Sequence, residues 1–407
     1  MIKKEEAYKG VRVIFYLNVF YILVSYLYAI FVGSYNGDFL NVSVNLGLNF
    51  LTLIAFFCIL PYWVQWKIYK YFKKKVKNRK SIYIDIHYVK NFVYIILLLH
   101  VFITIIFGVN RVGAPPYEAP AVIKIFIQIL LRFNSFLWGS FLFFLLPKKN
   151  KGALILTIFL MLSIGVLRGS FGIIYNIFLL FLIKYFNSII RIIKKKMIFI
   201  LMGIAFFPVI VEFAYSQRDI IRNSNEKKIE NESLIAGKLI GRMSSFSNTA
   251  ILVDNVFVYF LLARTFDNYF YQKGMLVAIS TSYEERGFKP PEKVLLPDTP
   301  DGSSFMLGTT GILIFSLYNS PIAFILNLCS IIIVSLIIYG ILLRIKFKYN
   351  KELAYLLLVA PTLSGVAGEY AFNLIIVVIF FITLFIFRFL QKLIKYENQI
   401  YRHDLHK

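Results

Sequence analysis

Residues 322–343 read IAFILNLCSIIIVSLIIYGILL, and Arg344-Ile-Lys-Phe-Lys348 follows at once. At about 1.5 Å of helical rise per residue, this run covers roughly 33 Å, enough to cross a hydrocarbon core about 30 Å thick. It contains no charged residue, and three basic residues close it. The same pairing of apolar run and basic stop recurs through the chain. The whole sequence is 59% hydrophobic, 18% aromatic and only 16% charged, with a mean hydropathy of +0.71, outside the range of soluble globular domains. Further apolar runs fall at 11–33, 42–64, 91–109, 121–146, 152–167, 172–190, 197–214, 352–366 and 371–390. The predicted fold class is therefore all-α: a polytopic membrane protein with about ten transmembrane helices and one large extracytoplasmic loop.

Charge sets the expected orientation. The chain carries 45 Lys and Arg against 21 Asp and Glu, for a net charge of +24. A soluble protein this basic would suggest a nucleic-acid partner, but here the excess sits between spans, so nucleic acid is not expected as a partner. Residues 67–80 hold eight basic side chains, 148–151 three, 191–196 four and 344–348 three, whereas 34–41 and 367–370 have none. Residues 216–321 hold eleven basic and eleven acidic residues and net zero. The positive-inside rule places the basic loops and both termini in the cytoplasm and the neutral loop outside. The expected organisation is an N-terminal transmembrane bundle over 1–214 with about seven spans, a large outer loop over 215–321, and about three spans with a cytoplasmic tail over 322–407. Within the loop, 249–263 is apolar but interrupted by Asp254 and Asn255, and reads as an interfacial or re-entrant helix. Residues 305–316 read as a similar half-helix. The start, Met1-Ile-Lys-Lys-Glu-Glu, leads into an apolar run too long for a signal peptide, so no cleavable leader is expected.

Ionisable groups in or beside spans are the first candidates for function, because burying them in lipid is costly. Arg168 lies in Gly165-Val-Leu-Arg168-Gly169-Ser170-Phe-Gly172 at the outer end of a span. It either snorkels to lipid phosphate or grips a substrate phosphate bidentately beside glycines that admit close approach. Arg111 ends the third span and Glu369 sits in the outer turn 367–370. Lys124 and Arg132 lie inside the fourth span, where they either snorkel or face a cavity. The neutral loop adds Arg218, Arg222, Arg242, Arg264 and Arg286. Arg218 and Arg222 share a helical face just above the seventh span.

Several chemistries find no support. The histidines are His87, His100, His403 and His406, and none falls in the outer loop, so an outer histidine base is missing. Walker A, GxGxxG and HExxH motifs do not occur. Cys58 and Cys329 sit in apolar runs without a partner at metal-ligand spacing. Asp38 and the segment Pro297-Asp298-Thr-Pro-Asp301-Gly302 read as turns, and no metal site or cofactor is expected.

The Arg168-Gly169 element opening a span, together with Gly241-Arg242-Met-Ser-Ser-Phe before an apolar helix and one large outer loop late in the chain, resembles the Wzy-type O-antigen and capsular repeat-unit polymerases. The resemblance covers the architecture of nearly the whole chain and, at motif level, about 165–190 and 236–260. The match departs from the family's small-residue Ser/Gly-x-Arg-Gly element in spacing. It implies a GT-C-like, metal-independent glycosyltransferase in a bacterial inner membrane. Such an enzyme joins undecaprenyl-pyrophosphate-linked oligosaccharides on the periplasmic face, amid membrane lipid and with a chain-length-regulating co-polymerase as partner. Under that resemblance Arg168 and Arg242, with Glu369 and Asp254 as carboxylate bases, are the expected catalytic residues. Arg218, Arg222, Arg264 and Arg111 are the expected pyrophosphate-binding residues. The alternatives are a flippase for lipid-linked oligosaccharide and the related O-antigen ligases, the latter disfavoured because the loop lacks a histidine.

Overall fold

The computed structural model describes residues 2–37, 42–75, 86–111, 117–196, 241, 243–277, 288, 290–295 and 306–404. Among them the protein is all-helical apart from one isolated antiparallel bridge between Ser34 and Ser43. The helices run α1 Ile2–Val32, α2 Leu48–Lys75, α3 Ile86–Phe107, α4 Ala121–Arg132, α5 Ser135–Leu145, α6 Lys151–Leu167 and α7 Phe171–Lys195. They continue as α8 Phe246–Asp254, α9 Val256–Arg264, α10 Phe270–Val277, α11 Pro291–Val294, α12 Gly308–Asn319, α13 Pro321–Leu342, α14 Asn350–Ser364 and α15 Ala367–Asp404.

Six of these are long and apolar enough to cross a membrane, and eight if the bent pairs α4–α5 and α8–α9 each count as one. The exterior supports the same conclusion. Phe31, Phe56, Ile155, Phe159, Ile325 and Phe389 are all more than half exposed. Apolar side chains displayed on this scale have a favourable environment only in lipid. The protein is membrane-embedded.

Nine of the ten predicted spans coincide with described helices, but two of these, α6 with 17 residues and α14 with 15, are too short to count as membrane-crossing helices. The seventh, 197–214, lies outside the described residues. The span at 42–64 sits later, at 48–75, because 33–47 turns back through bonds from Tyr35 N to Val42 O and Val44 N to Gly33 O. The span at 121–146 is two helices bent by 42° at Phe133–Asn134, where the Asn134 side chain caps α5 by accepting from Leu137 N. Ser320 ends α12 in an extended conformation and caps α13 by accepting from Ala323 N, ahead of Pro321 at the first helical position.

α14 is the central helix. All its side chains from Glu352 to Val359 are buried, and it touches α1, α2, α5, α7, α12, α13 and α15. It ends early, at Gly365, whose φ of +72° suits glycine alone, and a Cβ there would fall on the Gly308 carbonyl. The described part of the predicted loop fills the space above this turn. Leu252, Ala263, Phe270, Tyr271, Leu307 and Phe315 belong to the same apolar core as the long helices. α8 and α9 meet at 89°, as the interruption at Asp254-Asn255 implies for an interfacial or re-entrant segment.

The basic turns gather at one end of the bundle. There Lys148 pairs with Glu6 at 2.9 Å, Lys184 donates to the last carbonyls of α5 at Phe143 and Leu146, and Tyr69 donates to Glu352. At the opposite end Asn36 receives a bond from Ser247, and Gly37 lies against Gly241.

Candidate functional site: a buried arginine at the end opposite the basic turns

Arg168 follows the last residue of α6, and Gly169 (φ +62°) turns the chain into α7. This places the guanidinium against α3, with only 9% of the residue exposed. One nitrogen, Nη2, lies 3.0 Å from His100 Nδ1, and His100 Nε2 lies 2.9 Å from the Phe133 carbonyl. An arginine has only donors, so His100 accepts through Nδ1, and its proton sits on Nε2 and is donated to Phe133. The imidazole is thus neutral and fixed in one tautomer. The break between α4 and α5 supplies the free carbonyl that orients it.

Among the described residues this positive charge has no negative partner. No acidic side chain among the described residues acts on Arg168, and its buried Nε has no hydrogen-bond partner. Proximity to the C-terminal carbonyls of α6 offsets only about 0.3–1 kcal/mol, whereas burying an unpaired ion costs several kcal/mol. Ser170, which precedes α7, makes no side-chain cap to the first amides of that helix. Arg111 adds a second guanidinium beside the same end of α3. Its Nη2 lies 3.4 Å from the Thr104 carbonyl, one turn beyond His100, and its buried Nε is likewise unpartnered. Both guanidinia therefore keep spare donors beside α3, and such donors attract anions.

The other expected site residues go elsewhere. Asp254 accepts from the Tyr35 hydroxyl at 3.0 Å and from Asn45 N at 3.1 Å, tying the α8–α9 corner to the first turn. Burial, then the Asp254 carboxylate, pushes the Tyr35 phenol well above its ordinary value. Glu369 opens α15 and accepts from Ser364 Oγ at 2.7 Å, within the turn that Gly308 covers. Arg264 is exposed and lies over the Phe260 ring at 4.9 Å. Lys124 is exposed on α4 rather than facing a cavity, and Arg132 is half-buried in its last turn. Arg218, Arg222, Arg242, Arg286 and Asp38 lie outside the described residues. Among the described residues no three His, Cys, Asp or Glu side chains group as metal ligands would.

His100 is the residue that sequence reasoning set aside, since its position inside a span separated it from any outer-face chemistry. His100 lies mid-way along its span and Arg168 just past the end of another, so their positions along the chain carried no signal that the two meet. A second feature, a cavity of about 420 Å³, opens between α2, α12 and α13. Its wall is almost wholly apolar, with Thr309, Thr310, Thr362 and Tyr370 at one end and Gln65 and Ser335 at the other.

No family model, curated protein or solved structure matches the chain.

Proposed function

We propose that the protein is a membrane-embedded glycosyltransferase acting on lipid-pyrophosphate-linked oligosaccharides, of the repeat-unit polymerase kind. The observation that carries this reading is the buried Arg168 guanidinium, oriented by neutral His100 and without an acidic partner among the described residues. In glycosyl transfer from a pyrophosphate carrier, negative charge develops on the leaving phosphate oxygen. A preorganised guanidinium in a site shielded from water stabilises that charge strongly. Arg111 supplies further donors beside the same helix, α3. Among the described residues no carboxylate lies at Arg168 to take the acceptor hydroxyl proton. Glu369 and Asp254, nominated for that role, each make hydrogen bonds in other parts of the molecule. Periplasmic orientation, an inner-membrane location and a co-polymerase partner belong to the same proposal.

The test is the glycan produced by cells carrying the gene deletion and Arg168 variants. A polymerase deletion leaves single repeat units on the lipid core. Arg168→Ala is expected to reproduce that pattern, and Arg168→Lys to retain only short chains, because lysine keeps charge but lacks the fork. Unchanged chain length with Arg168→Ala, in a membrane-inserted protein, overturns the assignment. A deletion that leaves bare core overturns polymerisation itself.

A further inference from the structure

A second buried polar assembly lies away from Arg168, toward the basic end of the bundle. α2 contributes Gln65 and Tyr69, α13 contributes Ser335 and Tyr339, and α14 contributes Glu352 and Tyr355. Each pair is three or four residues apart, so each helix presents two polar groups one above the other. Gln65 Nε2 donates to Ser335 Oγ at 3.1 Å, and both residues line the cavity floor. One turn further on, the Tyr69 hydroxyl donates to Glu352 Oε1 at 2.9 Å. Tyr69 and Tyr355 have ring centres 5.7 Å apart, and Tyr339 lies near both Tyr355 and Glu352. All six residues are at least nine-tenths buried.

Their hydrogen bonding is incomplete in a specific way. Gln65 Oε1, Glu352 Oε2, Tyr339 OH and Tyr355 OH are buried, and none has a hydrogen-bond partner among the described residues. Native interiors leave such groups unpaired only rarely, and they pair them with ordered water where the protein supplies nothing. A carboxylate accepts only, whereas a carboxyl that carries a proton also donates. One proton and a few water molecules would therefore satisfy all four orphaned atoms. The groups facing Glu352 are Tyr69 and Lys73 from α2, Tyr339 from α13 and Lys351 from its own helix. Tyr175 from α7 faces Tyr355, and Glu6 from α1 faces Tyr349 at the start of α14.

We propose that this column is a binding site for water and a proton, with Glu352 as the proton-carrying residue and the Gln65–Ser335 pair as its connection to the cavity. Glu352 lies in the first turn of α14, next to the basic turn at 344–348, so the column links that end of the molecule to the floor of an otherwise apolar chamber. A polar or charged group entering the chamber meets Gln65 and Ser335 first, and through them changes the hydrogen bonding of the carboxyl. A buried ionisable group is costly, and linkage of this kind is a common reason for keeping one. The proposal stands independently of the glycosyltransferase reading.

Infrared difference spectroscopy on the full-length protein in lipid nanodiscs tests it. The expected result is a carbonyl stretch from a protonated carboxyl that shifts on transfer to D2O and is lost in Glu352→Gln. That band should be displaced in Tyr69→Phe, which keeps the ring packing, and in Gln65→Leu. Absence of a D2O-sensitive band removed by Glu352→Gln overturns the proton site. A band unmoved by Gln65→Leu overturns the connection to the cavity. If Glu352→Gln fails to fold, displacement of the band in Tyr69→Phe carries the assignment, and an unmoved band rejects it.

Discussion

Arg168 shows how one side chain's meaning depends on what it meets. As a residue type at the end of an apolar run it is compatible with snorkelling to lipid, but it is 9% exposed and bonded to His100. His100 in turn is held by the Phe133 carbonyl, which lies at the break between α4 and α5. Removing the imidazole leaves both partners buried and unsatisfied, a loss of about 1–3 kcal/mol for each such group. His100→Leu is therefore expected to lower the thermal unfolding midpoint in detergent and to shorten the glycan as Arg168 variants do. An unchanged midpoint would show that the imidazole does not support the arginine. Asp254 gives the contrasting lesson. Its sequence context, an acid interrupting an apolar segment, suits a catalytic base, yet its carboxylate is occupied by Tyr35 and Asn45.

That same carboxylate matters more at the scale of elements. α8 packs against α1, α2 and α12, then turns by 89° into α9, whose Val256, Phe257, Val258 and Leu261 face outward. The Asp254 bonds hold the corner to the turn at 33–47, so the angle between α8 and α9 is fixed by a contact over 200 residues distant in sequence. Tyr35→Phe removes one bond and should cost about 1 kcal/mol at neutral pH. The pH dependence has a definite sign. Because the folded protein holds the Tyr35 phenol above its ordinary value, the unfolded chain releases that proton first as pH rises. The contribution is complete below the ordinary tyrosine value of about 10 and declines above it. Unfolding scans from neutral to alkaline pH should show a steeper loss for the native protein than for Tyr35→Phe. Parallel curves would mean that Tyr35 does not titrate differently in the two states. The neighbouring α12–α13 pair follows a simpler rule: Ser320 and Pro321 stop one helix and start the next, and both signals are visible in sequence.

Across the whole molecule, every described basic turn lies at one end of the bundle, joined by Glu6–Lys148 and Tyr69–Glu352, while 33–37, 241 and 247 meet at the other. If the basic end faces the cytoplasm, single cysteines placed at Ser34 or Asn268 in a variant lacking Cys58 and Cys329 should react with a membrane-impermeant maleimide added outside. Cysteines at Lys149 or Lys346 should react only after permeabilisation. The reverse pattern would invert the topology. Helical class, the positions of most apolar helices, the basic stops and the corner at 254–255 were legible in the sequence, because hydrophobic run length and charge placement are local quantities that lipid reads directly. Three things depended on tertiary structure. The segment 216–321, neutral in net charge, nonetheless places Leu252, Ala263, Phe270, Tyr271, Leu307 and Phe315 in the apolar core, and Gly308 and Gly365 let its backbone approach the α14 turn. His100 and Arg168 became partners because α3 and α6 pack together. Glu352 became part of a polar column because α2, α13 and α14 converge. Each pairing joins residues far apart in the chain, and burial makes such polar contacts decisive. Sequence alone carries neither the distance between them nor the loss of water around them.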